Sequence, residues 1–354
     1  MEDSQVGIIK AAFGAKNRAR LIDQYFTQQK APANLSAWEH VYRLLLWVDQ
    51  TTGLAHCYES DKCQPGKNWY ARSLAFHDWV STALGMQPAL LGEEIDWLFR
   101  RATADLVTAV LSRANAMMAT AARQRAPYNL RGFPRPGEDP ELVSIVKEVL
   151  GDNLCGEPTP EKWQLLVQRI RQYLALENKR KNLVGEGFED VLAAAIKRSL
   201  GGALLDIRTR NLLHELPGFN RARKNDKPNK VDLAIIQPSG VRTLVTVKWS
   251  LRADREKQFS SEFSEYVQAE SDRQPFEYVF VTNEFDPARL MRACESLAGN
   301  TLMFTHVVHI NTDALKATYG DSQEKSQRKV IDYINAGRLI GLGKWMELVT
   351  TPRP

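Results

Sequence analysis

Residues 230–249, KVDLAIIQPSGVRTLVTVKW, decide how this chain is read. Two apolar, β-branched runs stand on either side of Pro238, Ser239 and Gly240, a turn composition, so the stretch predicts a β-hairpin. Folding about that turn brings Asp232 and Lys248 to within a residue or two of register. Side chains alternate along a strand, so Thr246, two residues before Lys248, shares its face. An acid and a base are thus presented together on one sheet, and taken alone the pair is a salt bridge. The strand then runs past Trp249 into three closely spaced charges, Arg252, Asp254 and Arg255, in the reading RTLVTVKWSLRADR of residues 242–255.

Outward from the hairpin, strands alternate with helices from Pro217 onward. After KVDLAIIQ and RTLVTVKW come a helix from Asp254 to about Ala269, a strand in YVFVTNE, a helix after Pro287, a strand in LMFTHVVHI and a late helix around Lys325 to Asn335. That order predicts an α/β core with a mixed sheet. Upstream, TPEKWQLLVQRIRQYLALENK reads as a helix with Thr159 as N-cap and Pro160 at its first position, and GEGFEDVLAAAIKRSL as a second helix. Residues 126–141 are expected to be a linker, because four prolines and two glycines in RAPYNLRGFPRPGEDPEL deny both helix and strand ladders. Residues 1–125 then read as an all-α domain. Trp38, Val41, Leu44, Leu45 and Val48 recur at helical spacing, and EEIDWLFRRATADLVTAVLSRANAMMATAARQ continues as one long amphipathic pattern. ESDKCQPGKNWYARS interrupts that module as a loop, placing Lys67, Trp69, Tyr70 and Arg72 where nucleic acid could meet them or where the aromatics anchor the loop on its own core.

The 354 residues are 44% hydrophobic and 25% charged, which suits one large core or two smaller ones. No apolar run approaches the roughly 20 residues of a membrane helix, and the start MEDSQ is polar, so a cytoplasmic protein with no membrane partner is expected. The four cysteines are scattered and lack a CxxC step, which favours reduced thiols over a disulfide frame or a zinc site. His306 and His309, three apart on an expected strand, face opposite sides and make no metal pair. A net charge of +5 and a pI near 8.9 permit an anionic partner without requiring one.

Metal-dependent phosphodiester hydrolysis needs at least two carboxylates for a hard cation, with a base nearby. Thr246, two residues before Lys248, is not acidic, so either something downstream supplies the second acid or there is no such site. In DREKQFSSEFSEYVQAESD, Phe259, Phe263, Tyr266 and Val267 form an apolar stripe; Glu262 lies on its flank and Glu265 turns further towards water. Glu189, in GEGFEDVL, is a further candidate, with Glu186 and Asp190 close by.

These residues resemble the PD-(D/E)xK nucleases, and within them the type II restriction endonucleases that recognise a CCGG or interrupted CCNGG core. In that group the second acid sits on the helix fourteen residues after the lysine, the spacing of Lys248 and Glu262. An Arg-x-Asp-Arg element begins four residues after the lysine, as Arg252, Ala253, Asp254 and Arg255 do here. The resemblance runs from Gly185 to Arg289 and departs at Val231, where proline is usual. It implies a nuclease domain over residues 142–354 with Asp232, Lys248, Glu262 and Glu189 catalytic, and Asp232 and Glu262 as ligands of Mg²⁺. It implies that Arg252 and Arg255 donate to guanine while Asp254 accepts from cytosine, pairings that base-edge chemistry also supports. A homodimer or higher homo-oligomer would read a palindrome, with contiguous CCGG ahead of CCNGG, and would leave 5′-phosphate ends and a 5′ overhang. A cognate DNA methyltransferase is the implied functional partner. Residues 1–125 would contact flanking DNA or serve oligomerisation, with Lys67 and Arg72 on the DNA backbone. RARKNDKPNK supplies Arg221, Arg223, Lys224, Lys227 and Lys230 to phosphates or is simply solvated. A shape-directed repair or junction nuclease, and a non-catalytic DNA-binding protein on a nuclease scaffold, are the alternatives.

Overall fold

Six strands make one mixed sheet in the computed structural model, which describes residues 15–28, 36–48, 70–85, 87, 119, 123, 126, 140–150, 156, 158–199, 205–220, 229–251 and 256–351. The chain enters through α1 (Ala15–Gln28), α2 (Ala37–Val48), α3 (Tyr70–Leu84), α4 (Pro140–Leu150) and α5 (Pro160–Ser199). The sheet begins with β1 (Asp206–Leu212), β2 (Lys230–Ile236) and β3 (Arg242–Lys248), all antiparallel neighbours. α6 (Glu256–Ala269) then crosses to β4 (Phe276–Thr282), which lies parallel to β3. After α7 (Pro287–Glu295) and a small hairpin of β5 (Leu297–Ala298) and β6 (Thr301–Leu302), β7 (His306–His309) extends the parallel half. α8 (Thr312–Tyr319), α9 (Lys325–Asn335), β8 (Leu339–Gly341) and α10 (Leu342–Thr350) finish the chain, giving the strand order β1-β2-β3-β4-β7-β8.

Both faces of the sheet are covered. Leu233, Ile235, Val245, Val247, Val279 and Val281 are buried in one cluster with Phe188 and Leu192 of α5, Ile22 of α1, Tyr42 and Leu44 of α2, and Trp345 of α10. Leu244, Tyr278, Phe280 and Leu339 join Phe259 and Tyr266 of α6, Leu290 of α7 and Val330 of α9 in the other. Burial on both faces explains why β3 and β4 read as near-continuous apolar runs. The mixed sheet flanked by helices is the expected one.

Several elements depart from expectation. The two helices foreseen over TPEKWQ and GEGFED are one 40-residue helix, α5: Gly185 and Gly187 weaken a helix without interrupting its backbone bonds, and packing of Phe188, Val191 and Leu192 on the sheet carries it through. β1, DIRTRNL, is an additional edge strand whose charges hide the period-2 signal. α8, β8 and α10 were likewise not foreseen, being short and without strong end signals. The loop foreseen over residues 59–73 gives way to helix from Tyr70, and Val267, placed on the apolar stripe of α6, is 52% exposed.

The described N-terminal helices share the sheet's core. Trp249, just past β3, makes edge-on ring contacts with Phe188 of α5 at 5.3 Å and Tyr42 of α2 at 6.1 Å. The Tyr42 hydroxyl donates to Asn283 Oδ1 at 2.9 Å, after β4. The amphipathic pattern of residues 93–124 and the linker 126–141 lie outside the described residues but for positions 119, 123, 126, 140 and 141.

Candidate active site

The β2–β3 register pairs Leu233 with Val245 and Ala234 with Leu244, so Asp232 faces Thr246 and Lys248 stands two residues further on the same face. One carboxylate oxygen gathers the strand end. Asp232 Oδ2 accepts from Lys248 Nζ at 2.6 Å, from the Val247 amide at 2.9 Å and from Thr246 Oγ1 at 3.4 Å. Threonine at 246 therefore supplies a hydroxyl donor to Asp232.

The other two acids arrive from helices on opposite sides of the sheet. Glu262 of α6 accepts from Gln258 Nε2 at 2.6 Å and from the Tyr278 hydroxyl at 3.2 Å. Burial raises its carboxyl pKa, and the field of Lys248 lowers it while that of Asp232 raises it. Glu189 of α5 is 7% exposed, and its pKa is pushed up to about 7, by burial first and by the charge of Asp232 second; Arg210 and Lys248 oppose the rise. Asp232 and Lys248 thus act electrostatically on both glutamates, in opposite directions.

All three neighbouring acids on α5 are bound by arginines, and Glu189 also feels the charges of Asp232 and Lys248. Arg18 of α1 binds Glu186 at 2.8 Å and Asp190 at 2.6 Å. Arg210 of β1 binds Glu189 at 2.9 Å and Asp190 at 2.5 Å. Neither arginine was singled out from sequence. Arg210 sits in a strand without apolar alternation, and Arg18 lies 172 residues from Asp190.

Arg252, Asp254 and Arg255 lie outside the described residues, as do Lys67, Arg221, Arg223, Lys224 and Lys227; Lys230 is exposed at the start of β2. Leu251, the described residue just before Arg252, is gripped at both backbone polar groups. Its amide donates to Glu284 Oε2 at 2.5 Å and its carbonyl accepts from Arg289 Nη1. Glu284 also accepts from the amides of Phe285 and Asp286, both at 2.9 Å.

Arg72 is corrected by the structure. It is 1% exposed within α3, and its charge stabilises the buried carboxylate of Glu284, so it does not present itself to a DNA backbone. His309 is buried and accepts the Asn311 amide at Nδ1, 3.0 Å, with Nε2 placed 2.9 Å from the Glu284 carbonyl; it serves as a neutral core link. Cys294 is a free, buried thiol.

Asp232, Glu262 and Glu189 are hard oxygen donors, and burial with mutual repulsion raises both glutamates, so donor type and charge fit a divalent cation such as Mg²⁺. Among the described residues, no three His, Cys, Asp or Glu side chains are grouped closely enough to hold a metal ion as they stand. No described helix is long and apolar enough to cross a membrane.

No family model matches the chain, and no curated protein matches it. Among solved structures, metal-depleted Ecl18kI in complex with uncleaved, modified DNA is similar at 10% identity and a TM-score of 0.37, over 94% of this chain and 82% of that one.

Proposed function

We propose that the chain is a Mg²⁺-dependent restriction-type endonuclease that cuts double-stranded DNA at a palindrome with a CCGG core, contiguous ahead of CCNGG, as a homodimer or higher oligomer. The observation that supports the reading is the Asp232–Lys248 pair, bonded at 2.6 Å at the end of β3, whose charges act on Glu262 and Glu189 from helices that cover opposite faces of the sheet.

In this reading Asp232 and Glu262 hold the cation, which when bound supplies a Lewis acid for the phosphate and lowers the pKa of water. Lys248 orients the attacking water and stabilises charge on the phosphoryl oxygens. Glu189, with its pKa near neutrality, takes part as an outer contact able to accept a hydrogen bond or a proton from that water. Water adds to phosphorus as the bond to the 3′ oxygen breaks, leaving 5′-phosphate and 3′-hydroxyl ends, with a 5′ overhang. Arg252 and Arg255 read guanine and Asp254 reads cytosine in the major groove. Lys230, with Arg221, Arg223, Lys224, Lys227 and Lys67, supplies phosphate contacts. A cognate methyltransferase would protect the host.

Digestion of fully sequenced DNA with Mg²⁺, beside an Asp232→Ala control, tests the proposal. Discrete ends sharing a CCGG or CCNGG core are expected. Cutting without sequence preference would leave a shape-directed nuclease, and binding without hydrolysis in Mg²⁺ or Mn²⁺ a DNA-binding protein.

A further inference from the structure

Helix α5 is intrinsically weakest where it carries the acid of the proposed site. Gly185 and Gly187 flank Glu186 in the turn that leads to Glu189 and Asp190, and glycine disfavours helix by its backbone freedom. A Cβ at either position would meet nothing within 4 Å, so no close approach requires glycine there. The placement of Glu189 therefore depends on what grips this turn from outside.

Beside the packing of Phe188 on the sheet, Arg210 supplies that grip. It lies in β1 between Thr209 and Asn211, which pair with Leu233 and Val231, so its backbone stands opposite Asp232 across the sheet. It is a non-glycine residue at φ +53°, a left-handed conformation that an arginine in a strand rarely adopts. Such strain persists where the surroundings over-determine it. What determines this residue is a three-way contact: Nη1 to Glu189 Oε2 at 2.9 Å and to the Glu186 carbonyl at 3.3 Å, and Nη2 to Asp190 Oδ1 at 2.5 Å. Arg18 takes the remaining oxygen of Asp190 and the Glu186 carboxylate from the other side. Only a planar fork spans two carboxylates and a carbonyl at once; a lysine would meet them as a point charge.

We infer that Arg210 is a positioning residue: its guanidinium, presented from a left-handed position within β1, holds Glu189 on the side of Asp232, and Arg18 of α1 forms the outer half of the same brace. The inference rests on the endonuclease reading and adds to it a residue that acts through Glu189 rather than on DNA. It also gives α1, distant in sequence, a part in organising the site.

The test is a double-substitution cycle on the full chain: wild type, Arg210→Gln, Glu189→Gln and the double variant, with Arg210→Lys as the conservative control. Three quantities are read: single-turnover cleavage of a cognate duplex, affinity for that duplex with Ca²⁺ in place of Mg²⁺, and the metal-free urea midpoint. Arg210→Gln is expected to slow cleavage by about 10²-fold with affinity within about threefold of wild type. Arg210→Lys should recover only part of the rate. In the Glu189→Gln background, Arg210→Gln should change the rate by less than about threefold, and the urea midpoints should show the same coupling between the two positions. Losses that multiply independently would overturn the inference, as would a loss of rate in Arg210→Lys accounted for by its unfolded fraction. A wild type that does not cut overturns the endonuclease reading and leaves Arg210 no reaction to serve; cutting with independent losses overturns this inference alone.

Discussion

Lys248 bonds Asp232 directly and lowers the carboxyl pKa of both Glu189 and Glu262 through its field. Lys248→Met therefore has two expected consequences. DNA cleavage should fall by roughly 10²–10³-fold, the scale for losing one charge-stabilising donor, while duplex affinity in Ca²⁺ is largely kept. Both glutamates should also titrate at higher pH, because a nearby cation that favours their charged forms is gone; ¹³C-carboxyl NMR of the metal-free protein checks the direction. Arg252→Ala belongs to the same scale: discrimination at one base pair should weaken by about 1–3 kcal/mol, read by comparing cognate and single-substituted sites, whereas a pure phosphate contact would weaken all sequences alike. His309 offers a test away from the proposed site. Burial lowers its pKa to about 4, and its Nδ1, which accepts the Asn311 amide, has no room for a proton. The unfolded chain takes up that proton near pH 6.5, so this contribution to stability is complete above pH 6.5 and is lost as pH falls towards 4. The difference is roughly 3 kcal/mol. Urea unfolding of wild type and His309→Gln at pH 7.5 and 4.5 should show the wild type losing more.

At the scale of elements, α5 joins the N-terminal helices, the sheet and the proposed site in one 40-residue rod. Its two glycines stand where an added methyl meets open space, so Gly185→Ala and Gly187→Ala should each raise stability by about 1 kcal/mol in urea unfolding. A decrease would mean that the turn relies on a backbone freedom its helical geometry does not display. The elements also show what sequence could convey. β2 and β3 were legible because their apolar runs and the Pro-Ser-Gly turn are local, and Glu262 because its place beside the α6 stripe follows from helical periodicity. β1 was not, since Arg208 and Arg210 interrupt any alternation and the strand is held by pairing with β2. The two helices read over residues 159–179 and 185–200 are one, because packing on the sheet carries α5 through the stretch between them.

For the whole molecule, the expected division into a helical segment over residues 1–125 and a nuclease domain over 142–354 can be tested by removal. In the described structure α1 and α2 cover the sheet face that bears Val245, Val247 and Trp249, and Tyr42 reaches Asn283 behind β4. A chain lacking residues 1–48 would expose that apolar face and lose the Arg18 brace. It should elute as aggregates in size-exclusion chromatography and lose a cooperative urea transition; a cooperative monomer of wild-type midpoint would instead support independent folding of the C-terminal segment. Asp232 and Lys248 could be paired from sequence because a hairpin register brings them together whatever surrounds them, whereas Glu262 was named from its place on the flank of the α6 stripe and from the spacing that the family resemblance implies. Glu189 was chosen among three acids on one helical turn through the resemblance, whereas the inward burial of Arg72 and the left-handed Arg210 opposite Asp232 were visible only in three dimensions. Both depend on which carboxylate the fold delivers to a desolvated spot, about twenty residues away for Arg210 and over two hundred for Arg72, and local periodicity carries no information about either partner.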